Sequence, residues 1–282
     1  MKLYVSFDME GLAGISSWQQ VDEKDRKYAR DLVKLHIKWL VEAIKESSKN
    51  DEIEEILIAD SHASGENIPY DITQMDDRIY LVSGFPRAFY MMPAMDPGYD
   101  RVLFIGYHAG SGAVHGVMDH TYSGSVIMSL KINGVAMSEC TLNLGYAWNV
   151  HGVPMAFVLG DEALKQQLEK LLKGQYVYVS TKWGLSRHAA KMKPMKLVER
   201  EIKDGVKEAL ELERGKLARY EVEKPIELDI TLTRTSYADI AELLPGFKRV
   251  DGHRVRFIHD DYAEVFEAIM AMVLTVLGYS KL

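Results

Sequence analysis

Short apolar segments of strand length alternate along this chain with longer segments of helical periodicity, and this alternation limits the possible folds more than any other feature. Residues 3–8 have the alternating pattern of a strand, and residues 26–45 carry apolar side chains at the spacing of one helix face. A strand followed by a helix and a further strand is the unit of a parallel sheet covered by helices. The sequence therefore predicts an α/β fold with a largely parallel central sheet flanked by helices.

The remaining elements follow from the same patterns. Strands are predicted at residues 53–59, 79–83, 101–106, 155–159, 176–180, 226–233 and 254–258. Helices are predicted at residues 85–95, 138–150, 161–173, 193–219 and 261–277. Residues 124–137 predict a hairpin that turns at Asn133-Gly134. Asp22 or Asp25 is the expected N-cap of the helix at residues 26–45.

The character of the sequence changes near residue 180, where a long, charged helical stretch follows the last of the closely spaced strands. We therefore predict an α/β metal-binding catalytic core over residues 1–180 and a smaller α+β region over residues 181–282. The apolar last helix could pack back on the core.

Composition and charge exclude several classes of protein. The net charge of −7 gives no electrostatic support for binding nucleic acid. The single cysteine, Cys140, excludes an internal disulfide framework and fits a reducing compartment. The most apolar segment, residues 265–277, contains Glu267 and is shorter than the roughly 20 residues that span a bilayer. No signal peptide is recognisable at the start. We expect a soluble, cytoplasmic protein without a nucleic-acid or membrane partner.

Chemically reactive side chains follow the predicted strands. Asp8 and Glu10 follow the first strand, His62 and His108 follow two others, and Glu139 lies one residue into the helix predicted at residues 138–150. The carboxyl ends of parallel strands meet at one edge of a sheet, so these residues are expected to converge. Carboxylate and imidazole ligands together suit zinc, with manganese or cobalt as substitutes. Three carboxylates suit two metals about 3.5–4 Å apart, with Asp8 as the natural bridge.

Each of these residues alone has an ordinary structural explanation. His62 could cap a turn, His108 could be a hydrogen-bonded core histidine, and Glu139 could be favoured by the dipole at a helix N-terminus. All of these explanations together would require several coincidences at strand ends, so a site is the better hypothesis.

Three further residues near this set could take part in chemistry. His115 and His120 flank residues 116–119, and a histidine beside a metal can act as acid, base or nucleophile. The spacing alone does not say which of the two does so. Cys140 is better interpreted as a small buried residue than as a nucleophile.

Five ordered motifs carry a resemblance to a known family. They are Ser6-Phe7-Asp8-Met9-Glu10-Gly11, Asp60-Ser61-His62, Gly106-Tyr107-His108-Ala109, residues 116–121, and Glu139 followed by Leu142-Asn143. In these motifs the chain resembles the DppA-type D-aminopeptidases, which are binuclear zinc metallopeptidases. The resemblance is collinear over most of the chain and is strongest before residue 160.

The resemblance implies a ligand set and an activity. Two zinc ions per subunit would be held by Asp8, Glu10, His62, His108 and Glu139, with Asp8 shared. His120 stands where the family has its probable nucleophile. The family removes N-terminal D-amino acids from short peptides such as D-Ala-D-Ala, and its members form ring-shaped homodecamers with an inner chamber.

Two departures from the family pattern concern substrate choice. The loop at residues 110–114 carries no charge where the family can place an arginine, and Ser138 replaces an expected glycine.

The expected reaction is hydrolysis of a peptide bond. A metal-activated water would attack the bond with His120 as acid–base catalyst, or His120 would attack it directly as nucleophile. The alternatives are another metal-dependent amidohydrolase or phosphoesterase, and a peptide-binding protein without catalysis.

Overall fold

The computed structural model describes residues 1–21 and 26–280, so the predicted caps Asp22 and Asp25 lie outside the described residues. The strands are β1 (Lys2–Phe7), β2 (Glu55–Asp60), β3 (Ile79–Val82), β4 (Arg101–Tyr107), β5 (Ile127–Ile132), β6 (Val135–Ala136), β7 (Met155–Asp161), β8 (Val177–Ser186), β9 (Ala189–Met192), β10 (Ile226–Leu232), β11 (Lys248–Arg249) and β12 (Arg254–His259). The helices are α1 (Trp18–Val21), α2 (Arg26–Glu46), α3 (Glu139–His151), α4 (Glu162–Leu171), α5 (Met195–Glu211), α6 (Thr235–Ala241) and α7 (Tyr262–Tyr279).

The first sheet has the strand order β3-β2-β1-β4-β7-β8-β9. Its strands pair in parallel from β3 to β8, and β9 pairs antiparallel with β8. The chain builds the sheet outward from β1 through β2 to β3, and then starts again on the other side of β1 with β4. The strand order therefore reverses between β1 and β4, as in doubly wound folds. The predicted α/β fold with a largely parallel sheet is confirmed.

Alternation along β1 explains its central position. Leu3 and Val5 pack into the apolar cluster that includes side chains of α2 and α5, while Tyr4 packs into the cluster on the other face. Both faces of the strand are thus buried, which is typical of a central parallel strand. Helices α3 and α4 supply side chains to the second cluster, so helices cover both faces of the sheet.

The second sheet is antiparallel, with the order β11-β12-β10-β5-β6. Its β5–β6 hairpin turns at Asn133 and Gly134, which both have positive φ, so the predicted hairpin is confirmed. Helix α7 is long and apolar enough to cross a membrane by length and composition. In the folded chain α7 contacts α3, where the Tyr262 hydroxyl donates to the carbonyl of Leu142 at 3.0 Å.

The boundaries of the two sheets differ from the predicted division at residue 180. Strand β8 runs through residue 180 and continues the first sheet to β9, whereas the β5–β6 hairpin joins the second sheet. Pairing between strands decides which sheet each strand joins, and such pairing leaves no local pattern in the sequence. The two-region division stays a prediction about domains.

Two predicted helices need correction. Residues 85–95 form turns instead of a helix, with positive φ at Phe89, Tyr90 and Ala94. Prolines at 86 and 93 lack the backbone N–H that a helix interior requires. The helix predicted at residues 193–219 ends at Glu211. Beyond it the chain bends and makes isolated bridges to residues 155, 173 and 175.

Candidate metal centre

The site lies where β1 and β4 end, at the point where the strand order reverses. The backbone that follows β1 and the backbone at the end of β4 approach closely here, and the Gly11 N–H donates to the carbonyl of Gly106 at 2.7 Å. A Cβ atom on Gly11 would lie 1.8 Å from the Tyr107 carbonyl oxygen, and one on Gly106 would lie 2.0 Å from that of Asp8. Only glycine fits at either position. Because glycine has no side chain, the two strand ends can lie against each other.

The five predicted ligand residues come together at this edge of the sheet. Their oxygen and nitrogen atoms form two sets that share Asp8, namely Asp8 with Glu10 and His62, and Asp8 with His108 and Glu139, and a third set joins Glu10 and His108 to His120. Within each set the ligand atoms all lie within 4.8 Å of one another. All five residues are buried or nearly so, with only His62 reaching 11% side-chain exposure.

The two oxygens of Asp8 face opposite sets. His62 Nδ1 lies 3.3 Å from Asp8 Oδ1 and 3.0 Å from Glu10 Oε2. On the other side, His108 Nε2 lies 3.6 Å from Asp8 Oδ2 and 3.4 Å from Glu139 Oε2. Asp8 therefore has the position of a shared ligand between two cation sites.

Two buried atoms of this cluster test whether it fits a metal. Within residues 1–21 and 26–280, Asp8 Oδ2 and His108 Nε2 have no hydrogen-bond partner. Buried polar atoms without a partner destabilise a fold by about 1–3 kcal/mol each. The two atoms lie 3.6 Å apart, a separation that a zinc ion with bonds of about 2 Å to each atom would bridge. Oxygen and nitrogen donors in this arrangement fit divalent zinc.

The structure separates the two flanking histidines. His120 is nearly buried, and its Nε2 lies 3.5 Å from Glu139 Oε1 and 4.0 Å from Glu10 Oε1. Its ring stacks on that of His108 at a centroid distance of 4.2 Å. His115 is exposed, and its Nδ1 lies near the carbonyl of Leu185 instead. His120 is therefore the flanking histidine that reaches the cluster.

Burial and neighbouring charges shift the carboxylates in opposite directions. Burial, together with the charge of Glu10, raises the pKa of Asp8 to about 7. Burial also acts to raise the pKa of Glu10, but the positive charge of His62 and its hydrogen bond to Glu10 outweigh burial and hold this pKa well below its usual value. Without a metal, the cluster therefore holds a proton that a cation would replace.

The histidines are shifted as well. Burial acts to lower the pKa of His108, but the carboxylates Glu139, Glu10 and Asp8 outweigh it and raise this pKa to about 10. Burial and the neighbouring His108 lower the pKa of His120. The two stacked imidazoles therefore differ in protonation, with His108 charged and His120 neutral near pH 7.

A buried chain of hydrogen bonds connects the segments that carry the ligand residues. Asn143 Oδ1 accepts from the Tyr122 hydroxyl at 2.7 Å, and Asn143 Nδ2 donates to the Tyr107 hydroxyl at 2.7 Å. The Ser6 hydroxyl links Tyr107 to Ser61, at 2.6 Å from each hydroxyl. This chain joins β1, β4 and α3 to the turn after β2, so the elements that carry the ligands are held together.

The cluster opens into a cavity of about 240 Å³. Besides the ligand residues and His120, the described residues that line it are largely aromatic or small and include Trp18, Val21, Ala63, Tyr90, Tyr122 and Gly124. None of these lining residues is lysine or arginine. A phosphate ester would leave its charge without a cationic side chain, so the lining favours an amide substrate over a phosphate ester.

Several residues around the site escape sequence reasoning. Trp18 packs edge-on against His120 at 5.1 Å, and the Tyr122 backbone N–H donates to Glu139 Oε1 at 2.5 Å. Cys140 is fully buried, and burial raises the pKa of its thiol. The thiol therefore stays protonated, which disfavours a role as nucleophile. Tyr122 lies in a loop without a regular pattern, and Trp18 begins a helix of only four residues, so neither gives a local signal in the sequence.

A doubly wound α/β sheet with a buried cluster of carboxylates and imidazoles at its switch point is the arrangement of a metal-dependent enzyme. The model of the peptidase family M55, described as D-aminopeptidase, matches residues 1–271. The chain belongs to this family and is a metallo-aminopeptidase. The resemblance seen in the sequence motifs is confirmed.

Two relatives support this placement. A D-aminopeptidase of Bacillus subtilis (strain 168) is 28% identical in an alignment of 276 residues, and the match covers 96% of this chain and 96% of the relative. A solved structure is described as the Zn-dependent D-aminopeptidase DppA from Bacillus subtilis, a self-compartmentalizing protease. It superposes with a TM-score of 0.89 at 26% identity and covers 98% of both chains.

Proposed function

We propose that this enzyme is a zinc-dependent aminopeptidase that releases N-terminal D-amino acids from short peptides such as D-Ala-D-Ala. The observation that carries the proposal is Asp8, whose two carboxylate oxygens face two separate sets of ligands. The relatives support it, since one is a D-aminopeptidase and the other is described as Zn-dependent.

Two zinc ions would be held by the two sets of ligands. Asp8, Glu10 and His62 would hold one ion, and Asp8, His108 and Glu139 the other. When bound, the metal supplies Lewis acidity toward the scissile carbonyl and lowers the pKa of a water. His108 is oriented for ligation, because its Nδ1 hydrogen bonds with the carbonyl of Ala109 at 3.0 Å and its Nε2 faces the carboxylates.

His120 is the residue placed to move a proton. Its Nδ1 lies 2.8 Å from the carbonyl of Met118, so Nδ1–H is the donor and Nε2 keeps its lone pair toward the cluster. We infer that Nε2 accepts a proton from the attacking water and returns it to the leaving amine. Direct nucleophilic attack by Nε2 is the second possibility, and it would leave an acyl-imidazole on the enzyme.

The cavity suits the amino end of a short peptide. The free amine would lie beside the carboxylates, which attract a positive charge, and the first side chain would contact the apolar wall that includes Tyr90 and Tyr122. Anchoring by the amine explains why such a site would act at the end of a peptide rather than within it.

Assembly and location are further parts of the proposal. The solved relative is described as self-compartmentalizing, which supports a homo-oligomer, and a ring-shaped decamer is the form that the family resemblance implies. A single buried cysteine and a net charge of −7 support a cytoplasmic enzyme that binds neither nucleic acid nor membranes. A measured molar mass near ten chains would support the decamer, and a monomer would contradict it.

The test is the release of amino acid from D-Ala-D-Ala and L-Ala-L-Ala by the zinc-loaded enzyme, with Asp8→Asn as the control. We expect cleavage of the D,D peptide that is lost in the variant. Cleavage of the L,L peptide alone would keep the metal mechanism and overturn the stereochemistry. Absence of release from either peptide, with two zinc ions bound per chain, would overturn the dipeptide substrate.

A further inference from the structure

A fully buried lysine lies behind Glu10. Lys182 belongs to β8, and its Nζ donates to the carbonyls of Glu10, Leu12 and Ile15, the latter two at 2.9 and 2.5 Å. An ammonium group has three N–H donors, and here each has one carbonyl acceptor. All three acceptors belong to the segment that follows β1, which we call the β1 loop (residues 8–15).

The β1 loop curls around this ammonium group. Internal turn bonds join Leu12 N–H to Met9 and Ile15 N–H to Leu12, at 3.0 and 3.3 Å. These turns bring the three carbonyls to one point, where they would repel one another without a cation between them. The lysine therefore holds the loop in a conformation that its own backbone dipoles oppose.

Two neighbouring contacts hold the same loop in place. The Thr181 hydroxyl donates to the Gly11 carbonyl at 2.6 Å, and the Ala13 N–H donates to His36 Nε2 at 3.3 Å. Neither contact reaches Glu10 itself. Lys182 is the residue that joins β8 directly to the backbone of the metal ligand.

We propose that Lys182 is a positioning residue that fixes the β1 loop so that the Glu10 carboxylate faces His62 and Asp8. The inference rests on the proposed metal site. Burial of the ammonium is unfavourable and lowers the pKa of Lys182 to about 7, while the charges of Asp161, Glu10 and Asp8 oppose this effect.

Arg101 offers a matched control at the other end of the sheet. It is also a buried cation, and its guanidinium donates to three carbonyls, those of Ala209, Leu210 and Leu212, at 2.8–3.3 Å. These carbonyls lie at the end of α5, and Arg101 begins β4 at the opposite edge from the cluster. Arg101→Met removes an equivalent clamp without touching the β1 loop.

The experiment compares Lys182→Gln and Lys182→Met with Arg101→Met in the full-length enzyme. Zinc affinity is measured by competition with a chelator, and the visible spectrum of the cobalt-substituted protein reports ligand geometry. We expect the two Lys182 variants to bind one of the two metal ions about 10- to 100-fold more weakly and to alter the cobalt spectrum. The glutamine variant keeps N–H donors and should lose less than the methionine variant. Arg101→Met should lose thermal stability but keep wild-type zinc affinity.

The possible outcomes are distinct. Wild-type zinc affinity and cobalt spectrum in Lys182→Gln would overturn the inference, even if Lys182→Met failed to fold. Equal losses of zinc affinity in the Lys182 and Arg101 variants would also overturn it, because general stability would then explain the effect. If the wild-type enzyme bound no zinc, the proposed function itself would fail, which is a separate result.

Discussion

The two ends of the first sheet use charge in opposite ways. At the amino end, Lys2 Nζ pairs with Glu55 Oε2 at 3.0 Å, and the Tyr99 hydroxyl donates to the other Glu55 oxygen at 2.8 Å. At the carboxyl end, Asp8, Glu10 and Glu139 converge without a lysine or arginine side chain paired to their carboxylates among the described residues. The amino end is neutralised by the chain itself, whereas the carboxyl end needs protons or a cation.

The pKa values record this difference. The hydrogen bond from Tyr99 and the charge of Lys2 lower the pKa of Glu55, despite some burial. Burial and a like charge raise that of Asp8 to about 7. The folded state therefore favours the ionised form of Glu55 and disfavours the ionised form of Asp8. Ionised Glu55 therefore contributes to stability at the amino end, whereas ionised Asp8 opposes it at the carboxyl end.

The largest expected effect comes from removing the charge of Asp8. Asp8→Asn should lower the rate of peptide hydrolysis by more than about 100-fold. Loss of a residue that only orients a metal ligand lowers activity by roughly 10- to 100-fold, and loss of a ligand itself should cost more. The same change should raise the melting temperature of the metal-free protein at pH 8 by a few degrees, because a repelled carboxylate becomes neutral, at roughly 2–4 °C per kcal/mol. Activity assays and thermal melts with a chelator measure the two effects.

The matched change at the amino end is Glu55→Gln. It should leave hydrolysis unchanged and lower the melting temperature only slightly, because it weakens a partly exposed ion pair, and such pairs contribute little to stability. A metal-free Asp8→Asn protein that melts below wild type would contradict the proposed contrast between the two ends.

A smaller effect is expected from pH. The folded state raises the pKa of His108 to about 10 and that of His62 well above its usual value, so their stabilisation is complete below pH 6.5 and is lost as pH rises. Asp8 acts in the same direction between about pH 4 and 7. The cluster should thus contribute less stability to the metal-free protein as pH rises from 6.5 to 9, while zinc binding strengthens. Lys182 acts in the opposite direction above about pH 7, because the fold lowers its pKa to about 7.

Thermal melts from pH 6.5 to 9, with zinc and with a chelator, measure how much zinc raises the melting temperature at each pH. The gap between the two melting temperatures should widen with pH, and His108→Gln should flatten the curve of the chelator-treated protein. A gap that stays constant from pH 6.5 to 9 would mean that the cluster does not exchange protons for metal.

The smallest expected effect concerns Trp18, which packs edge-on against His120. Trp18→Leu should lower kcat about 2- to 10-fold, because an aromatic pair of this kind is worth about 0.5–1.5 kcal/mol. Trp148→Leu is the control, since Trp148 contacts Arg219 at 4.9 Å, away from the cavity. Steady-state kinetics of both variants decide the matter, and equal losses would show that Trp18 does not orient His120.

Much of the fold and the candidate ligand set could be predicted from the sequence. Strand and helix periodicity is local, and a parallel sheet brings the carboxyl ends of its strands to one edge. Asp8, His62 and His108 each follow a strand, so their convergence follows from topology alone. Helix α3 likewise begins at Glu139, one residue after the predicted start at residue 138, and Ser138 is its N-cap.

Other features were decided only by tertiary structure. Sequence spacing left His115 and His120 equivalent, and only the path of the loop turns His120 toward the carboxylates. Nothing near Lys182 in the sequence indicates a partner 172 residues away in the β1 loop. Contacts of this kind depend on which strands become neighbours, and side-chain periodicity records which face of an element is buried but not what covers it. The sequence alone thus determined which residues could bind metal, and the folded chain decided how they are held.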